Sequence, residues 1–139
     1  MRNLKLLFSV ALITALSGIP PVVLAQEGAL EIQNHQGIAF VTGGVGEEER
    51  DFLRTVDKDF NLKLMFAIKE GNYLSDVQVS IRDKKGQPVL EAVANGPFFY
   101  ANLPPGTYTV AVNGPGQSFQ QSVQVTGRKQ ARLNFYWRG

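Results

Sequence analysis

Chemistry needs reactive side chains that can meet, and this chain offers few. It has no cysteine and a single histidine, His35. Without cysteine there is no disulfide, no zinc–thiolate or iron–sulfur site and no thiol nucleophile. With one imidazole, no mechanism or metal cage that needs two is open. His35 stands between Asn34 and Gln36 in a polar stretch, with no convergent partner nearby, and reads as a solvated side chain. Asp57-x-Asp59-x-Asn61 has the spacing of the first three ligands of a calcium loop. Leu62 stands where such a loop needs glycine for its sharp turn, and Ile68 where it needs a bidentate glutamate. The two aspartates read instead as charges solvating a helix end. Gly43-Gly44-Val45-Gly46 ahead of a helical stretch suggests a phosphate cradle, but the Lys-Ser/Thr ending of a P-loop is missing. Glu47, Glu48 and Glu49 would also repel an anion from the first helical turn. A turn and a helix cap are expected there. Asp76, Asp83 and Glu91 are enough carboxylates for a glycosidase pair, yet they fall at strand ends and turns, where charges solvate loops. No catalytic, cofactor-binding or metal-binding residue is assigned, and the expectation is a protein that is not an enzyme.

Binding is the remaining chemistry, and the aromatic residues are its best carriers. Phe98, Tyr100, Tyr108, Phe135 and Trp137 fall on strand faces predicted to point inward. Phe99 and Tyr136 fall on the opposite faces, and Tyr73 follows a Gly71-Asn72 turn. Exposed together, such rings stack on sugars or anchor a partner. A strand edge is the second candidate. Ile38, Ala39 and Phe40, running on to Thr42, form a short apolar strand that glycines flank and no lysine guards. The C-terminal run Leu133–Trp137 is the other edge of this kind.

The elements that must position these residues follow from periodicity. Glu47 to about Asp59 is predicted as the one soluble helix. Its glutamates lie in the first turn, where the helix dipole favours anions, and Phe52, Leu53, Val56 and Phe60 make one apolar stripe. From Leu62 onward the period is two. Leu62/Leu64/Phe66, Val77/Val79/Ile81, Val89–Ala94, Phe98/Tyr100, Tyr108/Val110/Val112, Phe119/Val123/Val125 and Leu133/Phe135/Trp137 mark seven strands, with turns at Asp83–Gly86, Asn95-Gly96, Leu103–Gly106, Asn113–Gly116 and Thr126–Lys129. Leu103-Pro104-Pro105-Gly106 fits a type II turn with positive φ at Gly106. The predicted fold is mainly β, a seven-stranded antiparallel sandwich with one short N-terminal helix.

The start of the chain reads as an address. Arg2 and Lys5 precede an uncharged run from Leu6 to Ile19, Pro20 and Pro21 break any helix, and Val23-Leu24-Ala25 is a cleavage site. The expectation is a signal peptide over residues 1–25, cut before Gln26, and a periplasmic or secreted protein. The alternative is retention as an anchor, since the run is about as long as a membrane span. Loss of Arg2 and Lys5 takes the formal net charge from +2 to zero. A neutral chain without a basic stripe has little to offer nucleic acid. Residues 26–46 then read as an arm and glycine-rich loop, 47–60 as the helix and 61–139 as the sandwich domain.

Asp76–Asp83, Gly86, Pro88-Val89-Leu90, Gly96-Pro97-Phe98 and Leu103-Pro104-Pro105-Gly106-Thr107-Tyr108-Thr109-Val110 together resemble the carboxypeptidase regulatory-like domain. The full mature chain, from Gln26 on, also resembles small secreted proteins of Gram-negative bacteria that join this domain to a Gly-Gly-Val-Gly-acidic helix. The resemblance implies a transthyretin-like (Ig-like) β-sandwich. Its matching positions are core and turn residues, and in the parent carboxypeptidases the domain is accessory to the catalytic one, so it implies no catalytic residue. The expected function is a non-enzymatic module that binds a protein partner in the cell envelope. The alternative is a small-ligand or carbohydrate binder using Tyr73, Phe99 and Tyr136. No cofactor, nucleic acid or lasting membrane insertion is expected.

Overall fold

The computed structural model describes residues 30–138. The expected leader and its expected cleavage site lie outside the described residues. In chain order the elements are β1 (Gln33–His35), β2 (Ile38–Gly43), α1 (Glu47–Val56), a 3-10 turn (Asp57–Asp59), β3 (Leu62–Ile68), β4 (Val77–Arg82), β5 (Pro88–Ala94), β6 (Phe98–Asn102), β7 (Gly106–Gly114), β8 (Gln117–Val125) and β9 (Ala131–Trp137). They form two sheets, one ordered β1-β2-β6-β3-β9 and the other β5-β4-β7-β8. The protein is mainly β, with its two sheets packed face to face as a sandwich.

The seven-stranded antiparallel expectation needs two corrections. The described residues form nine strands, because β1 and β2 join the larger sheet. One pair is also parallel: β9 runs alongside β3 in unbroken register from Leu62↔Ala131 to Ile68↔Trp137. β1 escaped the pattern because Gln33-Asn34-His35 has no apolar alternation. Its signal was the turn. Gln36 and Gly37 both have positive φ, as a tight hairpin of this hand requires, and the Asn34 side chain accepts the Gly37 N–H at 2.9 Å.

Between the sheets lies the main core. Leu62, Leu64, Phe66 and Phe99 of the larger sheet meet Val77, Val79, Ile81, Val110 and Val112 of the smaller one. Trp137, Phe135 and Phe119 close one side, with Phe119 and Trp137 edge to face at 5.0 Å between centroids. A second core lies on the far face of the larger sheet, where α1 packs Leu53, helped by Phe52 and Val56, onto Val41, Phe60 and Tyr100. The layers are thus helix, five-stranded sheet, four-stranded sheet.

This layering reverses the expected faces of β6. Phe99 pairs in register with Leu64, points into the main core and is 0% exposed. Phe98 and Tyr100 point to the helix side instead. Strand β6 is apolar on both faces because both of its faces are covered, so alternation alone could not tell inside from outside.

Particular polar contacts hold the strand ends. Thr42 is buried, and its hydroxyl donates to the Phe98 carbonyl at 2.8 Å and accepts the Asn95 N–H at 3.1 Å. The Asn61 amide bonds both the carbonyl and the N–H of Leu103, at 2.8 and 2.9 Å. The Tyr108 hydroxyl donates to the Pro104 carbonyl at 2.6 Å. Gly106 corrects a further expectation. It is the first residue of β7, pairs with Val125 and lies outside the positive-φ set, so the turn before it is not the expected type II.

Candidate functional site

The glycine loop before α1 is closed on itself. One oxygen of the Glu49 carboxylate accepts the backbone N–H groups of Gly44 and Val45, each at 3.0 Å. Arg50 donates to the Gly44 carbonyl at 3.2 Å. The amides that would cradle a phosphate are thus taken by the protein's own carboxylate, and the loop is the turn and helix start that its glutamates predicted.

The Asp57–Asn61 stretch is also spent on structure. Asp57 forms an ion pair with Lys63, and its backbone carbonyl accepts the Gln130 side chain at 2.7 Å, while Asn61 clamps Leu103. Hydrogen bonding from Lys63 is the main cause that holds the Asp57 carboxyl below the usual carboxylate range. Asp83 accepts the N–H groups of Lys85 and Gln87, both at 2.9 Å, within the β4–β5 turn. Glu91 lies on the outer face of the smaller sheet, 3.4 Å from the Ser80 hydroxyl. His35 is in β1, in register with Ile38.

The expected edge at Ile38, Ala39 and Phe40 does not exist. Strand β2 is paired on both sides, with β1 through Gln33↔Phe40 and with β6 through Ala39↔Asn102. Phe40 is buried in the main core and stacks on Phe99 at 5.4 Å. Of the six candidate residues, Tyr73 and Tyr136 alone are well exposed, at 55% and 49%.

Those two tyrosines are brought together. Helix α1 covers only the β2–β6 half of the larger sheet, which leaves the outer face of β3 and β9 open. Ala67 of β3 is bridged to Tyr73 on one side and registered with Tyr136 on the other. A small residue thus separates two exposed rings on one face. The Tyr73 ring lies 5.9 Å from Phe98, and Phe98 lies 6.3 Å from Tyr100, so the row continues toward the helix. Met65 sits between Phe98 and Asn134 in register. Lys63, its side chain only 11% exposed, places its ammonium 5.0 Å from the Tyr100 ring centroid and is registered with Arg132. Burial first, and the Asp57 charge second, push the Tyr100 phenol above its ordinary pKa. Two hollows of about 160 and 190 Å³ share Phe98 and Tyr100, one against Arg50 and Arg54 of α1, the other against Arg132 and Asn134 of β9. The face therefore has an aromatic and thioether floor with arginines at both walls.

Sequence reasoning found Tyr73 and Tyr136 but missed Met65, Phe98, Arg132 and Asn134. The alternation of β9 would have placed Arg132, Asn134 and Tyr136 on one face. What no local pattern holds is the parallel pairing that sets this face beside Met65.

The outer face of the smaller sheet differs in chemistry. A groove of about 700 Å³ crosses all four of its strands, over Ser80 and Ala111 and between Gln78, Asn113, Ser118 and Gln120. Its lining mixes these amides and hydroxyls with apolar side chains, Val93 and Phe119 among them, and Glu91 is its one charge. No protein-family model matches this chain, and no curated protein matches it.

Proposed function

We propose that this protein is an exported, non-enzymatic binding module of the cell envelope, which takes a protein partner on the open half of its larger sheet beside α1. One observation carries the reading: the exposed rings of Tyr73 and Tyr136 flank Ala67 and extend a buried aromatic row. Tyrosine, methionine and arginine are the residues that anchor protein interfaces, most strongly around a desolvated centre. Met65 and Phe98 supply that centre, and Arg50, Arg54 and Arg132 its rim. The absence of cysteine and the single histidine support a role without catalysis. The scaffold is read as a transthyretin-like sandwich of the carboxypeptidase regulatory-like kind. In support, the resembling segments fall in consecutive elements from β4 to β7, with the Tyr108 hydroxyl tying down the Pro-Pro-Gly turn. Export rests on the leader pattern, and N-terminal sequencing of protein from the periplasmic fraction should begin at Gln26.

The test is capture from an envelope extract with wild type and with Tyr73→Ala/Tyr136→Ala. Both side chains are exposed, so the double variant should melt like wild type and lose the partners that wild type retains. Equal capture by both proteins would move the binding site elsewhere. A second reading is favoured by the spacing of the two rings around Ala67 beside the Asn134 amide, an arrangement that suits a sugar. A glycan array signal that Tyr136→Ala removes would replace the protein partner with a carbohydrate.

A further inference from the structure

The end of a sheet is a row of unmet backbone donors and acceptors unless something guards it. The described residues show four such ends: β1, β9, β5 and β8. Strand β1 is only three residues long. Strand β5 opens on Pro88, and its register with β4 slips between Ile81 and Arg82. Strand β9 carries Arg132 and turns its last residues onto the corner, where the Trp137 indole N–H donates to the Gln117 carbonyl at 2.9 Å. Strand β8 has no such guard beyond that corner. Its nine residues, Gln117–Val125, include no charge, no proline and no glycine. Its register with β7 is unbroken from Gly114↔Gln117 to Gly106↔Val125, so no bulge twists the edge away.

Hydrogen-bond parity then decides which groups are free. Gly114 and Gln117 close a two-residue turn and face each other across the hairpin, so they exchange ladder bonds. Counting from that pair, Phe119, Gln121, Val123 and Val125 bond to β7. Ser118, Gln120, Ser122 and Gln124 turn their N–H and C=O groups outward.

The geometry points to β8 as the seam of a homodimer, in which β8 pairs antiparallel with β8 of a second copy about a two-fold axis at Gln121. The occupant follows from two features. A two-fold contact brings the net charge of a strand up against the same net charge in the partner, and β8 carries no charge at all. The midpoint of the strand also has the right parity. With the axis at Gln121, the outward-bonding Gln120 of each copy meets Ser122 of the other, and Ser118 meets Gln124. On the inner face Phe119 meets Val123, and both are left half-buried at the rim of the main core in the single chain. The register of greatest overlap is thus also the one in which every outward donor finds an acceptor. The four-stranded sheets join into one of eight strands, and the grooves on their outer faces, which reach Ser118 and Gln120, meet at the seam.

Charge exchange across the axis tests this register. Gln120→Lys/Ser122→Lys sets lysine opposite lysine twice, whereas Gln120→Lys/Ser122→Glu sets lysine opposite glutamate twice, with all changes on the wet face. Sedimentation of the full chain purified from cells should give the dimer mass for wild type and for the Lys/Glu variant, and the monomer mass for the Lys/Lys variant. A wild type that stays monomeric at its highest soluble concentration overturns the inference, as does a Lys/Lys variant that dimerises like wild type. Should the variants not fold, hydrogen exchange on wild type decides. The amides of Ser118, Gln120, Ser122 and Gln124 should gain protection on raising concentration, and unchanged exchange refutes the seam. The seam is on the opposite sheet from Tyr73 and Tyr136, so either surface can fail without the other.

Discussion

Replacing Gly96 with alanine should damage the fold far more than the same change at Gly106, although sequence alone points to Gly106. A Cβ at Gly96 would lie 2.5 Å from both the carbonyl carbon and oxygen of Gly43, and 2.9 Å from its Cα. These are backbone atoms at the end of β2, held by the β2–β6 pairing of Gly43 with Phe98 and by the Thr42 hydroxyl on Asn95, so no side-chain rotation relieves the overlap. Overpacking of this kind costs about 3 kcal/mol at the upper end of its usual range. The stiffer unfolded chain returns up to about 1 kcal/mol. The net loss of ~2 kcal/mol corresponds to a fall in melting temperature of roughly 10 °C for a domain of this size. At Gly106 a Cβ would meet the Tyr108 ring at 3.6 Å, an ordinary contact, on a backbone outside the positive-φ region. Gly106→Ala should therefore melt within about 2 °C of wild type, below half a kcal/mol. Thermal melts of the two variants by circular dichroism make the comparison. If Gly96→Ala melts like wild type, or Gly106→Ala falls by more, the close approach of the β5–β6 turn to β2 is not what limits this corner.

Other perturbations read out single contacts. Glu49→Ala leaves the Gly44 and Val45 amides without their acceptor and should lower stability by about 1–2 kcal/mol in urea unfolding, with Glu49→Gln losing less. Tyr108→Phe removes the bond to the Pro104 carbonyl and should cost on the order of 1 kcal/mol by the same measurement. The Asp57 carboxyl is held low by Lys63, so what it adds to stability is fully present above the unfolded carboxylate value, about 4, and is lost as pH falls through the lower folded value. Acid titration of Asp57→Asn should accordingly show a shallower loss of stability below about pH 4 than wild type. A slope equal to that of wild type would mean that the ion pair does not persist in solution.

The strands and the main core were legible because β4, β7 and β9 each bury one face and wet the other, so Val77/Val79/Ile81, Tyr108/Val110/Val112 and Leu133/Phe135/Trp137 alternate cleanly. The helix was legible at its start, where three glutamates meet the dipole, and less so at its end, where Asp57–Asp59 tighten into a 3-10 turn. Legibility failed where an element is covered twice. Strand β6 lies under both α1 and the smaller sheet, so Phe98, Phe99 and Tyr100 are all apolar and their phase carries no information. It failed again where pairing is long-range. Nothing near Tyr136 announces Tyr73, whereas the cover over Ile38 is local and was missed because Gln33-Asn34-His35 has no apolar alternation and only the turn after it marks the hairpin. Half of the aromatic surface was found from exposure expectations at Tyr73 and Tyr136, and the rest depends on the order of strands.

The parallel pairing of β3 with β9 also sets a timetable. The hairpins β4–β5 and β7–β8 close through short turns and can form as soon as their own residues are free. Strand β3 has no such neighbour on its outer side until β9 arrives, and a contact between residues so far apart in sequence is among the slowest to form. Until then Phe66 lacks Phe135 and Trp137, and the sandwich stays open along one side. A growing or threading chain is therefore held back from its final fold until β9 is available. The residues from Ala131 to Trp137 act as the latch that completes it.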